Sequence, residues 1–171
     1  MDTKETLKFV KVRNVKSPSR GTEFSAGLDF YVPEDFNNGT TYYLQPQHDV
    51  LIKSGIRALL PHGVMLMGAD KSGIATSRNA MIEAGNTPKP GNPMSSLKIG
   101  AKIIDEDYQG EIGLHIINVG NAEAKIEPGQ KITQFIMVPV IYCDLEEYPH
   151  PDLLFTEKTE RGEDGFGSTA V

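Results

Sequence analysis

One cysteine, Cys143, is all that the 171 residues contain. A disulfide within the chain and a zinc cluster built on cysteines are both excluded. No apolar run reaches about 18 residues, so no segment reads as a membrane-spanning helix and no membrane partner is expected. The opening stretch, MDTKETLKFVKV, lacks an apolar core followed by small residues and does not read as a signal peptide. These absences point to a reducing, cytoplasmic setting. Basic charge is short as well, with a formal net charge of −6. A nucleic-acid binder shows a basic face, and none is visible, so no nucleic-acid partner is expected. A small anionic ligand remains open, provided that backbone N–H nests, a few Lys or Arg, or a metal meet its charge.

Several catalytic signatures are missing too. His48, His62, His115 and His150 do not pair at metal-ligand spacing, and there is no HExxH. No G-x-S-x-G elbow is present. A protein-held zinc and a serine nucleophile are therefore not expected. A calcium loop starting at Asp105 would need Glu at its twelfth position, where Ile116 stands. No stretch of about a dozen residues carries helical apolar periodicity.

Strand signals are what the chain does have. LKFVKV (7–12) alternates in part, and DVLIKSGIRALLP (49–61) offers two apolar runs around a Ser-Gly turn. GVMLMG (63–68), EIGLHIINV (111–119) and KITQFIMVPVIY (131–142) follow, the last two rich in β-branched residues. With 17 glycines and 11 prolines spread among many short units, the chain reads as an all-β sandwich, barrel or jelly roll. AGNTPKPGNPMSS (84–96) reads as a loop or protrusion. Residues 144–161 read as an extended arm, long enough to reach a neighbouring subunit.

Three stretches carry candidate chemistry. The tail RGEDGFGSTAV (161–171) sets glycines around an aromatic ring, followed by two hydroxyls. Glycine lets backbone N–H groups converge on a ligand, Arg161 offers a planar fork for phosphate, and Phe166 can close over a flat base. The competing reading is a disordered polar tail. IIDEDYQGEIG (103–113) places three acids beside Tyr108 at a tight turn. A carboxylate there can orient and deprotonate water, and the tyrosine ring can stack on a base or sugar. The alternative is a solvated acidic hairpin. In GADKSGIATS (68–77), Lys71, Ser72 and Gly73 form a short anion nest or an ordinary loop. It is not a Walker A loop, whose spacing is absent.

These stretches, with two more, assemble into a known pattern. AGLDFY (26–31), ADKSGIA (69–75), GAKIIDEDYQGEIG (100–113), PGQKITQFI (128–136) and RGEDGFGST (161–169) occur in this order over nearly the whole chain. The sequence resembles the trimeric deoxyuridine triphosphate nucleotidohydrolases, the dUTPases. The resemblance implies a distorted jelly-roll, β-barrel-like subunit over residues 1–143 and a C-terminal arm and flap over 144–171. It implies a homotrimer that exchanges its arms and forms its active sites at subunit interfaces. The implied activity is hydrolysis of dUTP to dUMP and pyrophosphate, which keeps uracil out of DNA and supplies dUMP for thymidylate synthesis.

The resemblance also assigns roles by position. Asp105 is the carboxylate that activates water, and Asp29 is a supporting acid near the phosphates and Asp105. The hairpin with Gly100, Ala101, Ile104 and Gly113 holds uracil, and Tyr108 stacks beneath the deoxyribose. Lys71, Ser72, Gly73 and Gln134 serve the phosphates. Arg161, Phe166, Gly167, Ser168 and Thr169 form the flap. Mg²⁺ is implied, held by substrate phosphates and water with no direct protein ligand. The chain departs from the family pattern at Lys71, where Arg is usual, at Asp70, where Pro is frequent, and at Lys102, where Gly is common. Asp70 adds a negative charge beside the phosphate site. The loop 84–96 is longer than usual and raises a further reading, contact with a protein partner. A dCTP deaminase on the same fold is the rival enzyme reading.

Overall fold

The computed structural model describes residues 5–71 and 96–163. Ser72, Gly73, Phe166, Gly167, Ser168 and Thr169 lie outside the described residues, as does the loop 84–96 apart from Ser96. The chain divides into two compact units, Met1–Ile141 and Tyr142–Val171.

The first unit is built of short strands in chain order. They are β1 (Lys8–Lys11), β2 (Ser19–Arg20), β3 (Gly27–Tyr31), β4 (Tyr42–Leu44), β5 (Asp49–Lys53) and β6 (Ile56–Leu59), then β7 (Val64–Ala69), β8 (Leu97–Ile99), β9 (Ile103–Ile104), β10 (Gly113–Asn118), β11 (Ala124–Ile126) and β12 (Lys131–Pro139). The main sheet runs β2-β3-β12-β7-β9, and a second runs β5-β10-β8. Pairs β1-β6 and β11-β4 complete the shell, and every described pairing is antiparallel. This is an all-β, distorted jelly-roll architecture.

Alternation along each strand explains which face is buried. In β10, Leu114, Ile116 and Asn118 are buried, while Gly113, His115 and Ile117 are partly exposed. The core gathers Phe30, Val32, Ile52, Leu66, Ile126 and Phe135 from both sheets and the strands between them. Phe30 and Phe135 meet edge to face at 4.9 Å, across the β3–β12 pair. Polar residues are buried with them, Ser54, Thr133 and Asn118 among them. Asn118 donates to the carbonyls of Leu44 (3.0 Å) and Ala122 (2.8 Å) and accepts from the Gly120 N–H (3.0 Å). It thereby ties β10 to β4 and to the turn before β11.

Two apolar runs of the 49–61 stretch become β5 and β6, joined through Ser54 and Gly55, whose φ is +76°. β12 ends at Pro139, three residues short of the end of the 131–142 run. In the second unit, a single helical turn, α1 (Pro151–Leu154), opens with His150 Nδ1 accepting the Asp152 N–H at 3.3 Å. Its other described residues are exposed and mostly without regular structure.

Candidate functional site

Most of the predicted residues that are described fall into two groups, which sheet order and register distinguish. The first group lies where β3, β12 and β7 run side by side. Register places Asp29 opposite Gln134 and Gln134 opposite Ala69. Lys71, just past the end of β7, reaches back over this row. Its ammonium donates to Asp29 Oδ1 at 2.5 Å, and that of Lys131 donates to Oδ2 at 2.8 Å. Asp29 is only 4% exposed. Burial alone pushes its carboxyl up, but the hydrogen bonds and charges of Lys131 and Lys71 outweigh burial and hold it below the usual aspartate range. The same contact, chiefly the hydrogen bond to Asp29, raises Lys131.

Gln134 Nε2 donates to the Asp70 carbonyl at 3.1 Å. The Asp70 carboxylate is turned to structural use. It accepts the Ile99 N–H at 2.7 Å and pairs with Lys98 at 3.1 Å. The negative charge that the sequence adds beside Lys71 is thus answered by Lys98 and a backbone amide.

The second group is the hairpin 100–113. Here the chain leaves one sheet and joins the other. β8 pairs with β10, and β9 pairs with β7 two residues past Ala101. The Gly100 N–H donates to the His115 carbonyl (2.8 Å), and the Lys102 carbonyl accepts the Gly68 N–H (2.6 Å). At the turn, the Tyr108 N–H donates to the Asp105 carbonyl (3.2 Å) and the Tyr108 hydroxyl to the Glu111 carbonyl (3.0 Å). Gly110 lies close against the ring: a Cβ there would stand 2.3 Å from the tyrosine oxygen, and the ring would have to shift.

The three acids of this turn have different surroundings. Glu106 accepts the Gly63 N–H (2.7 Å) and contacts His62 Nδ1 (2.8 Å), bracing the β6–β7 turn. Asp105 is exposed, and no described residue donates to its carboxylate. Tyr108 is also exposed, with its ring available to a flat partner.

The two groups touch through Gly68 and Lys102, yet within the chain Asp29, Lys71 and Gln134 do not meet Asp105 and Tyr108, because Ile104 pairs with Leu66 and Asp105 leaves toward the Val64 end of β7, away from Lys71. Between Asp29 on β3 and the hairpin that continues β9 lie β12 and β7. Three strand spacings alone are about 14 Å. A concavity of about 320 Å³ beside Phe9, Arg57 and Gln109 is lined by none of the predicted site residues. Arg161 belongs to the second unit.

A family model described as dUTPase matches residues 13–170. The chain belongs to the dUTPase family.

Its relatives agree. It is 33% identical to the deoxyuridine 5'-triphosphate nucleotidohydrolase of vaccinia virus (strain Copenhagen), covering all of this chain and 97% of that one. It is 31% identical to the rat enzyme of the same name, covering 96% of this chain and 67% of that one. Among solved structures, the dUTPase of Staphylococcus bacteriophage 80alpha, bound to dUpNHpp, superposes with a TM-score of 0.72 at 24% identity, covering 97% of this chain and 99% of that one. A variant dUTPase from phage phi11 of S. aureus, described as coordinating a structural Mg(II) ion, superposes with a TM-score of 0.63 at 20% identity, covering 86% of this chain and 99% of that one.

In this dUTPase chain, sequence reasoning missed Lys131 and Lys98. Both act through carboxylates that the motifs did contain. Lys131 opens β12 beside a register shift between Lys131 and Thr133. Such a bulge re-aims a side chain in a way that simple alternation does not announce.

Proposed function

We propose that the chain hydrolyses dUTP to dUMP and pyrophosphate in a site completed by a second copy, within a homotrimer. The observation that carries the shared site is the separation of Asp29, Lys71 and Gln134 from Asp105 and Tyr108: β12 and β7 lie between β3 and β9, and Ile104 pairs with Leu66, so Asp105 leaves β9 toward the Val64 end of β7, away from Lys71. Each group is well built locally, yet neither holds both a phosphate cradle and an unengaged carboxylate. A neighbouring subunit that sets its hairpin against the β3–β12–β7 row supplies the missing half.

In this reading the hairpin 100–113 holds uracil, and Tyr108 packs under the deoxyribose. Lys71, with Ser72, Gly73 and Gln134, grips the phosphates. Asp29 holds the Lys71 ammonium in place, so its proximity to Asp105 arises between copies. Asp105 accepts a hydrogen bond from the attacking water and takes its proton. The new bond forms from water oxygen to the α-phosphorus, and the bond from that phosphorus to the bridging oxygen breaks, releasing pyrophosphate in line.

Mg²⁺, when bound, neutralises triphosphate charge. Both oxygens of Asp29 are engaged by ammonium groups, which supports a cation held by phosphate oxygens and water. Residues 144–171 act as arm and flap, with Arg161, Phe166, Gly167, Ser168 and Thr169 closing over the nucleotide. No described helix is long and apolar enough to cross a membrane, and we place the enzyme in the cytoplasm.

Subunit complementation tests the shared site. Asp105→Asn and Lys71→Ala are each expected to have little dUTP turnover as pure assemblies. Refolding them together at equal amounts pairs two intact halves in about a quarter of sites, so pyrophosphate release recovers to that order. Mixed assemblies without recovery refute the shared site. Ammonia release from dCTP, with no dUTP turnover by the wild type, refutes the activity.

A further inference from the structure

His115 attracts no role from any motif, yet it stands against the strand assigned to the base. β8 leaves β10 after Ile99, which pairs with Ile116. One residue on, the Gly100 N–H still finds a backbone partner in the His115 carbonyl. At Ala101 the chain has turned away toward β7. There the His115 side chain takes over the ladder, and the Ala101 N–H donates to its Nδ1 at 2.9 Å. An accepting Nδ1 has no proton, so Nε2 carries one and donates it to Asp49 Oδ2 at 2.8 Å. The ring is thus held at both nitrogens. Gly100 makes room for it, since a Cβ would stand 2.2 Å from Nδ1. On the far side of the strand, the Lys102 carbonyl is fastened to the Gly68 N–H of β7.

We propose that His115 is a positioning residue for base recognition: its Nδ1 captures the Ala101 N–H and fixes the strand at Gly100–Lys102 that reads the pyrimidine. The inference rests on the hairpin reading given under Proposed function. It bears on the Lys102 departure. A residue bulkier than glycine here needs a strand pinned from both sides if the backbone is to stay in place for a base.

The test exploits side-chain geometry. In Asn, the amide oxygen sits where Nδ1 was, so His115→Asn keeps an acceptor for Ala101. In Gln, the amide reaches the Nε2 position, so His115→Gln keeps the Asp49 link and abandons Ala101. His115→Gln is expected to raise KM for dUTP roughly 5- to 10-fold with kcat within about twofold, the loss of one neutral hydrogen bond. His115→Asn is expected to stay within about twofold in both. An unchanged KM in His115→Gln, equal damage from Asn and Gln, or a fall in kcat alone overturns the proposal. A measurement on the wild type needs no variant to fold. Nitrogen-15 NMR of the imidazole is expected to show an unprotonated Nδ1, and a protonated Nδ1 overturns the proposal. The underlying reading has its own check. The Ala101 amide resonance of the wild type is expected to move on titration with dUMP. If it does not, the hairpin assignment fails, whatever the His115 variants do.

Discussion

Substituting Gly100 by alanine tests the His115 contact through stability. The backbone of Gly100 is not in the left-handed region, so space alone decides the outcome. The added Cβ would lie 2.2 Å from His115 Nδ1, 2.6 Å from Cε1 and 2.9 Å from Cγ. No real Cβ tolerates such contacts, and the ring is held by Asp49 and Ala101. Either the strand bends or the ring is expelled. Overpacking of this kind costs about 1–3 kcal/mol, and the orphaned Ala101 N–H adds about 1 kcal/mol, so Gly100→Ala is expected to lose about 2–4 kcal/mol. His115→Ala loses the Ala101 bond and little from the exposed Asp49, about 1–2 kcal/mol. Were the two independent, the double variant would lose about 3–6 kcal/mol. With the ring gone, however, the new methyl has room, and the double variant is expected to lose only about 1–2 kcal/mol, a coupling of about 2 kcal/mol or more. Urea unfolding followed by circular dichroism, at one protein concentration for all four chains, measures the cycle. Additivity within about 0.5 kcal/mol refutes the contact.

Other outcomes follow from the same structure. Asn118→Ala strands two carbonyls and one N–H in a fully buried place and is expected to cost roughly 3–5 kcal/mol by urea unfolding, with a loss under about 1 kcal/mol refuting the network. Asp29 has a lowered folded pKa, so its contribution is complete above the unfolded value of about 3.9 and disappears as pH falls through the folded value. The stability advantage of wild type over Asp29→Asn is therefore expected to be flat from about pH 7 to 5 and to shrink below about pH 4; a constant gap down to pH 3 would count against the Lys71–Asp29–Lys131 arrangement.

Much of this molecule is legible in its sequence. β5, β6, β7, β10 and β12 announce themselves because runs of Val, Ile, Leu and Met are cut by Ser-Gly, Pro-His-Gly and Pro-Gly turns. β4, β8 and β11 span three residues each, too few for alternation to rise above chance. β3 was visible only as the AGLDFY motif. The motifs likewise gave the identities of Asp29, Lys71, Gln134, Asp105 and Tyr108, while sheet order and the β7–β9 register keep the first three apart from the last two. Pairings such as Lys131 with Asp29, Lys98 with Asp70 and His115 with Ala101 depend on register and on the corner between sheets. Composition and spacing carry no information on either.

The division of labour between β3–β12–β7 and the acidic hairpin has a consequence for inheritance and dosage. On the proposed shared-site reading, a lone polypeptide is inert, so dilution below the assembly threshold silences it without any unfolding. On the same reading, a copy defective in both halves spoils two centres, and a cell expressing it beside a sound copy forfeits more output than the faulty fraction alone would account for.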